Sequence, residues 1–182
     1  MAKDKVCKDD TAKSAVDNAS EFFEMKISNA MDKRAWDVPI IEQNSELIDV
    51  LAILCTNDHV WVVDNLKHKN VVGVITEHDI LNALRPIKSH RFFGVPSRKG
   101  MGLSMFDTAE HIMSHDPFIC TPDEKVKDVL HRMEAHSVRR LPVVDAKTLA
   151  ILGEVTVHQL IRLYYHVIKP LCKICQEEQE KL

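Results

Sequence analysis

Apolar positions recur along this chain in short blocks whose period alternates between two and three to four residues. Leu47, Val50, Leu51 and Leu54 stand at helical spacing. Val60 to Val63 and Val71 to Ile75 are β-branched runs of strand length, separated by the polar stretch 64–70. The pattern predicts a short strand at Val38 to Ile41, a helix near Leu47 and two further strands. A second helix is predicted to open at Thr76 and run to Leu84, with Pro86 just past its end. Farther on, Thr121-Pro122-Asp123-Glu124 offers an N-cap, a proline at the first helical position and a glutamate at N3. Ala15, Ala19, Phe22 and Phe23 predict a lead-in helix within 11–26.

This series occurs twice. Residues 37–54 align without a gap on 116–133, so that Asp37, Ile40, Asp49, Val50 and Leu51 recur as Asp116, Ile119, Asp128, Val129 and Leu130. Val62-Val63-Asp64 returns as Val143-Val144-Asp145, and Gly73, Thr76 and His78 return as Gly153, Thr156 and His158. A kept order with slightly drifting offset indicates duplication with small loop insertions. The expected fold class is α/β (α+β), two βαββα repeats with an N-terminal lead-in helix. The boundaries read as an extension over 1–26, repeat 1 over 27–85, a connection over 86–107, repeat 2 over 108–169 and a tail over 170–182.

Composition narrows the setting. Of 182 residues, 45 % are hydrophobic and 28 % charged, with a net charge of −3, which fits a folded chain and favours no charged partner. The opening residues, with Lys3, Asp4, Lys5, Lys8, Asp9 and Asp10, are too charged for a signal peptide. No apolar run reaches the roughly 20 residues of a membrane span, so no membrane partner is expected. Cysteines at 7, 55, 120, 172 and 175 form no disulfide framework and are read as free thiols of a cytoplasmic protein.

Ala30-Met31, Ile112-Met113, Leu141-Pro142-Val143-Val144-Asp145 and Gly73-Val74-Ile75-Thr76-Glu77-His78-Asp79, in duplicate and in order, resemble a tandem pair of CBS (cystathionine-beta-synthase) domains, or Bateman module. The resemblance covers roughly 27–169 and suggests a stand-alone CBS-domain protein. It implies repeats packed about a pseudo-two-fold axis with two clefts between them. The clefts would take AMP, ADP, ATP or an S-adenosyl compound as regulatory ligand. It further implies a homodimer, an unknown regulated protein as partner, and no catalysis.

On that resemblance the first cleft is assigned to the Gly-x-x-Thr-x-x-Asp series Gly73, Thr76 and Asp79, with Ile40 and Ile41 beside it. A helix starting at the threonine presents free N–H groups to phosphate. The Asp79 carboxylate suits two ribose hydroxyls. Arg139, Arg140 and His136 of repeat 2 would reach the phosphates. The second cleft, with Gly153, Thr156, Ile119, Cys120 and His59, has Gln159 at the acidic position and Asp58 where arginine is wanted. One competent site and one weak site, empty or open to an uncharged or cationic adenosyl group, are therefore expected.

Plainer readings stand beside these. Thr-x-x-Asp at a helix start is also close to a capping box, which needs no ligand. The stretch 85–99, rich in Arg, Lys and Phe, is an alternative nucleic-acid-binding feature, or else a solvated connection. A ligand-free dimerisation module is a third possibility. Cys172-x-x-Cys175 is half of a metal site, equally a pair of small residues on a helix face, so no metal is assigned. None of the ten histidines accompanies a nucleophile, and no catalytic residue is assigned. Trp61 replaces the proline of the Leu-Pro-Val strand and reads as a buried packing residue.

Overall fold

The computed structural model describes residues 18–31, 37–84 and 107–179. The basic stretch at 85–99, Ala15, Cys7 and the side chains of Cys172 and Cys175 lie outside the described part.

A helix over 18–24 (α1) leads into a single-turn helix α2 (Ile27–Ala30). Repeat 1 then reads β1 (Ile40–Glu42), α3 (Leu47–Leu54), β2 (His59–Val63), β3 (Val71–Thr76) and α4 (Glu77–Leu84). This is the expected βαββα order, with β1 shifted by two residues at its start. A second short helix α5 (Ala109–Ile112) precedes β4 (Ser114–His115). Repeat 2 continues with α6 (Val126–Ala135), β5 (Arg140–Val144), β6 (Ile151–Thr156) and α7 (Val157–Gln179).

The first sheet has the order β1-β2-β3-β4. β2 runs parallel to β1 and antiparallel to β3, and every one of its five residues is buried. A strand buried on both faces needs an unbroken apolar run, which is why Val60-Trp61-Val62-Val63 shows no alternation. Trp61 is 2 % exposed, as its packing role requires. In repeat 2, β5 pairs with β6, and the counterpart of β1 is reduced to one parallel bridge between Cys120 and Val143.

The chain divides into two compact units that cut across the repeats. One unit gathers the described residues before 34 with 119–143 and 153–179. There the segment before repeat 1 is laced onto the start of α6. Ile27 N–H donates to Glu124 O at 2.8 Å, Ser28 N–H to Pro122 O at 2.9 Å and Val126 N–H to Met25 O at 2.9 Å. Phe22, Ile27, Val129, Leu141 and Leu160 share its core, and the Phe22 ring stands 5.2 Å from that of Tyr164. Glu24 reaches Lys125 and Lys127 at 2.5 Å each, and these ammonium groups hold its carboxyl down at about 2.

The other unit gathers the described residues of 34–118 with 144–152 and repeats the lacing. Leu47 N–H donates to Asp107 O, Ala109 N–H to Ser45 O and Glu110 N–H to Gln43 O, each at 2.9 Å. Its core joins Ile41, Leu47, Val50, Val60, Val62, Ile75, Ala109 and Met113. Each lead-in helix thus completes the core of the repeat that it does not precede.

One local expectation is corrected. Only half of the box at Thr121 to Glu124 forms: Thr121 N–H donates to Glu124 Oε1 at 2.8 Å, but Glu124 N–H donates to Thr121 O rather than to the hydroxyl, and α6 starts only at Val126. The intervening Lys125 is extended because its backbone bridges Lys26. At the other end, α7 runs through Pro170 to Gln179, so the described part of the tail continues the helix. Among the described residues no helix is long and apolar enough to cross a membrane.

Candidate functional site

The series at 73–79 is built on a strand that turns directly into a helix. β3 ends at Thr76 and α4 opens at Glu77, so Asp79 falls at the third helical position. Asp79 Oδ2 accepts the backbone N–H of Thr76 at 2.8 Å and the Thr76 hydroxyl at 2.7 Å. Two donors on one oxygen fix the carboxylate rotamer. The second oxygen, Oδ1, accepts the hydroxyl of Ser114 at 3.1 Å.

Gly73 has a packing reason. It is buried in β3, paired with His115 of β4, and a Cβ there would stand 2.3 Å from the Met113 sulfur and 2.8 Å from Met113 Cγ. Met113, the last residue before β4, lies across the glycine and closes the sheet edge over it. His59 pairs with Thr76 across β2 and β3 and is 3 % exposed, with Nδ1 2.9 Å from Asp58 Oδ1 and its ring edge-on to Trp61.

The second copy differs in its bonding. Thr156 N–H donates to Gln159 Oε1 at 2.8 Å, and Gln159 N–H returns to the Thr156 hydroxyl at 3.2 Å, a complete capping box. The single acceptor oxygen of Gln159 is thereby engaged. Val157 N–H donates to Arg139 O at 2.9 Å, which ties the approach to β5 to the start of α7. The first turn of α4 carries Glu77 and Asp79, whereas that of α7 carries no acid. Negative charge in a first turn offsets the positive helix end, so the bare helix-end attraction for phosphate expected at Thr76 is largely cancelled.

Gly73, Thr76, Asp79, Ile40, Ile41 and His59 share one unit; Gly153, Thr156, Gln159, Ile119, Cys120, Arg139, Arg140 and His136 share the other. Strand alternation separates the isoleucines. Ile41 is in the core and Ile40 is half-buried. The same holds for Ile119, half-buried, and Cys120, fully buried with Sγ toward Pro142 O. The side chains of Ile41 and Cys120 are therefore committed to the cores rather than to a cleft. Burial, with Glu124 nearby, pushes the Cys120 thiol up to about 12. Arg139 is exposed, Arg140 half-buried at the first position of β5, and His136 exposed at the end of α6.

Three contributors escape the sequence reading. Ser114 and Met113 reach the site only through the pairing of β4 with β3. Arg132 donates to Ile119 O at 2.5 Å and to Glu124 Oε2 at 2.6 Å, bracing the chain from 119 to 124.

Comparison with known proteins bears on the family and the fold. The CBS domain model matches residues 27–86 and 109–166. The CBS domain pair of protein MJ0100, solved in complex with 5-methylthioadenosine and S-adenosyl-L-methionine, is 25 % identical, with a TM-score of 0.56 over 77 % of this chain and 99 % of that one. CBSX2, solved in complex with AMP, is 19 % identical, with a TM-score of 0.60 over 78 % of this chain and 97 % of its own. A curated relative, homoserine O-acetyltransferase of Methanosphaera stadtmanae, is 25 % identical over 114 residues. That match takes in 63 % of this chain but only 19 % of the relative's length.

Proposed function

This chain belongs to the CBS domain family, and on that premise we propose that it is a regulatory binder of an adenosine compound, AMP, ADP, ATP or an S-adenosyl compound, acting on a partner protein in trans. The observation that carries the reading is the Asp79 carboxylate. It is half-buried at a strand-to-helix junction, pinned through Oδ2 by Thr76, while Oδ1 accepts the hydroxyl of the exposed Ser114. An ionised carboxylate so held accepts hydrogen bonds only, which suits a ribose diol.

Gly73, Thr76, Asp79 and Ile40 form the ribose and base side of the site in this reading. Glu77 and Asp79 offset the positive end of α4, so the junction itself favours the ribose diol over phosphate. The Thr156 and Gln159 junction is the weaker site, since the neutral Gln159 offers one acceptor oxygen where Asp79 offers two, and that oxygen already accepts Thr156 N–H. Relatives solved with AMP, with 5-methylthioadenosine and S-adenosyl-L-methionine, and with ATP support the ligand class. Regulation arises from differential binding to two arrangements of the protein and needs no bond-making. A cytoplasmic homodimer completes the reading.

A thermal-shift panel of AMP, ADP, ATP, S-adenosylmethionine, 5-methylthioadenosine, NAD and GTP tests it. An adenosine ligand at about 100 times its Kd stabilises by about 2.7 kcal/mol, a rise of several degrees in Tm, and Asp79→Ala abolishes the rise. A flat panel, or a rise that survives Asp79→Ala, contradicts the reading. Binding to single-stranded nucleic acid that weakens steeply with salt and survives Asp79→Ala points to the 85–99 stretch instead.

A further inference from the structure

We propose that Ser114 occupies the oxygen of Asp79 that a ribose diol takes, so that ligand binding displaces the Ser114 hydroxyl and frees β4 from the start of α4. The inference rests on the ribose-binding reading of Asp79 given above.

The two carboxylate oxygens are not equivalent. Oδ2 already accepts two short bonds from Thr76, at 2.8 and 2.7 Å, and both come from the junction itself. Oδ1 accepts one longer bond, 3.1 Å, from an exposed serine 35 positions along the chain. A cis-diol presents two O–H donors, and with Oδ2 already taken twice, both must go to Oδ1, where Ser114 holds one of the two acceptor positions. Of the three donors now on Asp79, the Ser114 hydroxyl is the longest-bonded and the most readily solvated, so it is the one that yields. Thr76 keeps the carboxylate oriented meanwhile, and Ser114 is not needed to aim it.

The consequence of displacement is set by β4. That strand is two residues long and pairs with β3 at Gly73↔His115 and Val74↔Ser114. Ser114 is thus both the competitor at Asp79 and a residue of the last strand of repeat 2 before the chain passes from this unit to the other at Ile119. Occupancy by a diol removes one of the side-chain ties of a minimal edge strand, while Met113 stays packed over Gly73. The adenosine site and β4 are coupled through a single hydroxyl.

Calorimetric titration of AMP and of S-adenosylmethionine, both of which carry the diol, against the full chain tests this. Ser114→Ala is expected to tighten whichever of the two binds by roughly 3- to 10-fold, the worth of one net exposed hydrogen bond. Ser114→Thr, which keeps the hydroxyl, is expected to match the parent. With 2′-deoxy-AMP, which offers only one of the two hydroxyls, the gain on Ser114→Ala is expected to shrink. Unchanged or weaker binding by Ser114→Ala, with the parent binding normally, overturns the displacement and leaves the ribose reading standing. If the parent binds neither compound, the ribose reading and this inference fall together. A gain equal for AMP and 2′-deoxy-AMP marks general loosening and also overturns it.

Discussion

The Met113 side chain lies where a Cβ on Gly73 would have to be, with its sulfur 2.3 Å and its Cγ 2.8 Å from that position. Gly73→Ala therefore forces a buried methionine to rotate out of a packed edge and is expected to cost about 1–3 kcal/mol. Met113→Ala opens a cavity and costs about 2–5 kcal/mol alone. The two changes relieve one another, so urea denaturation of the double variant is expected to show a loss at least about 1 kcal/mol smaller than the sum. Strict additivity would show that the glycine is there for another reason.

The bonding at the second junction suggests how to repair it. Gln159→Asp replaces one engaged amide oxygen with a carboxylate at the position held by Asp79 in repeat 1. Negative charge in the first turn of α7 adds about 0.3–1 kcal/mol of helix stability. Titration with the adenosine compound that the parent binds is expected to show an added equivalent of sites. An unchanged stoichiometry would mean that the acidic position is not what makes the second site weak.

Glu24 ties α1 to the start of α6 through Lys125 and Lys127, and its carboxyl is held at about 2, against an ordinary 4.5. A depressed folded-state value contributes stability that is present above about 4.5 and disappears as pH falls toward 2. Glu24→Gln is expected to be less stable than the parent at pH 6, with the gap narrowing below pH 4.5 and closing near 2. A gap that stays constant down to about pH 2 would assign the loss to something other than this ion cluster. Because all three side chains are about half exposed, the gap also shrinks in high salt.

Cys120 and Cys55 are both free, one buried and one exposed. Burial holds the Cys120 thiol protonated up to about 12, and the thiolate is the reactive form. Alkylation at about pH 8, read by peptide mass, is expected to modify Cys55 in the native protein and Cys120 only after denaturant. Prompt native labelling of Cys120 would show that its core opens readily.

Much of this is legible in the chain alone. The helical spacing of Leu47, Val50, Leu51 and Leu54 reports a local period, and so do the β-branched runs at Val60 and Val71, which is why these elements fall nearly where expected. Thr76 and Asp79 are legible because a junction and its cap are local chemistry. Ser114, Met113 and Arg132 are not, because each acts through a partner that only long-range pairing supplies. The lead-in segments obey the same rule. The Ile27 to Glu124 and Leu47 to Asp107 bonds join parts of the chain that no sequence period relates. The delayed start of α6 has a similar source, since Lys125 answers to Lys26 rather than to its own helix.

Asp79 is the residue on which the proposed function turns, and calorimetric titration of the parent and Asp79→Ala with AMP, ADP, ATP and S-adenosylmethionine tests it most directly. One strong equivalent per chain is expected for at least one of these compounds. Asp79→Ala is expected to lose that binding while giving up only about 0.5–2 kcal/mol of stability, the worth of a helix cap. Two equal equivalents in the parent, or undiminished binding by Asp79→Ala, would contradict it.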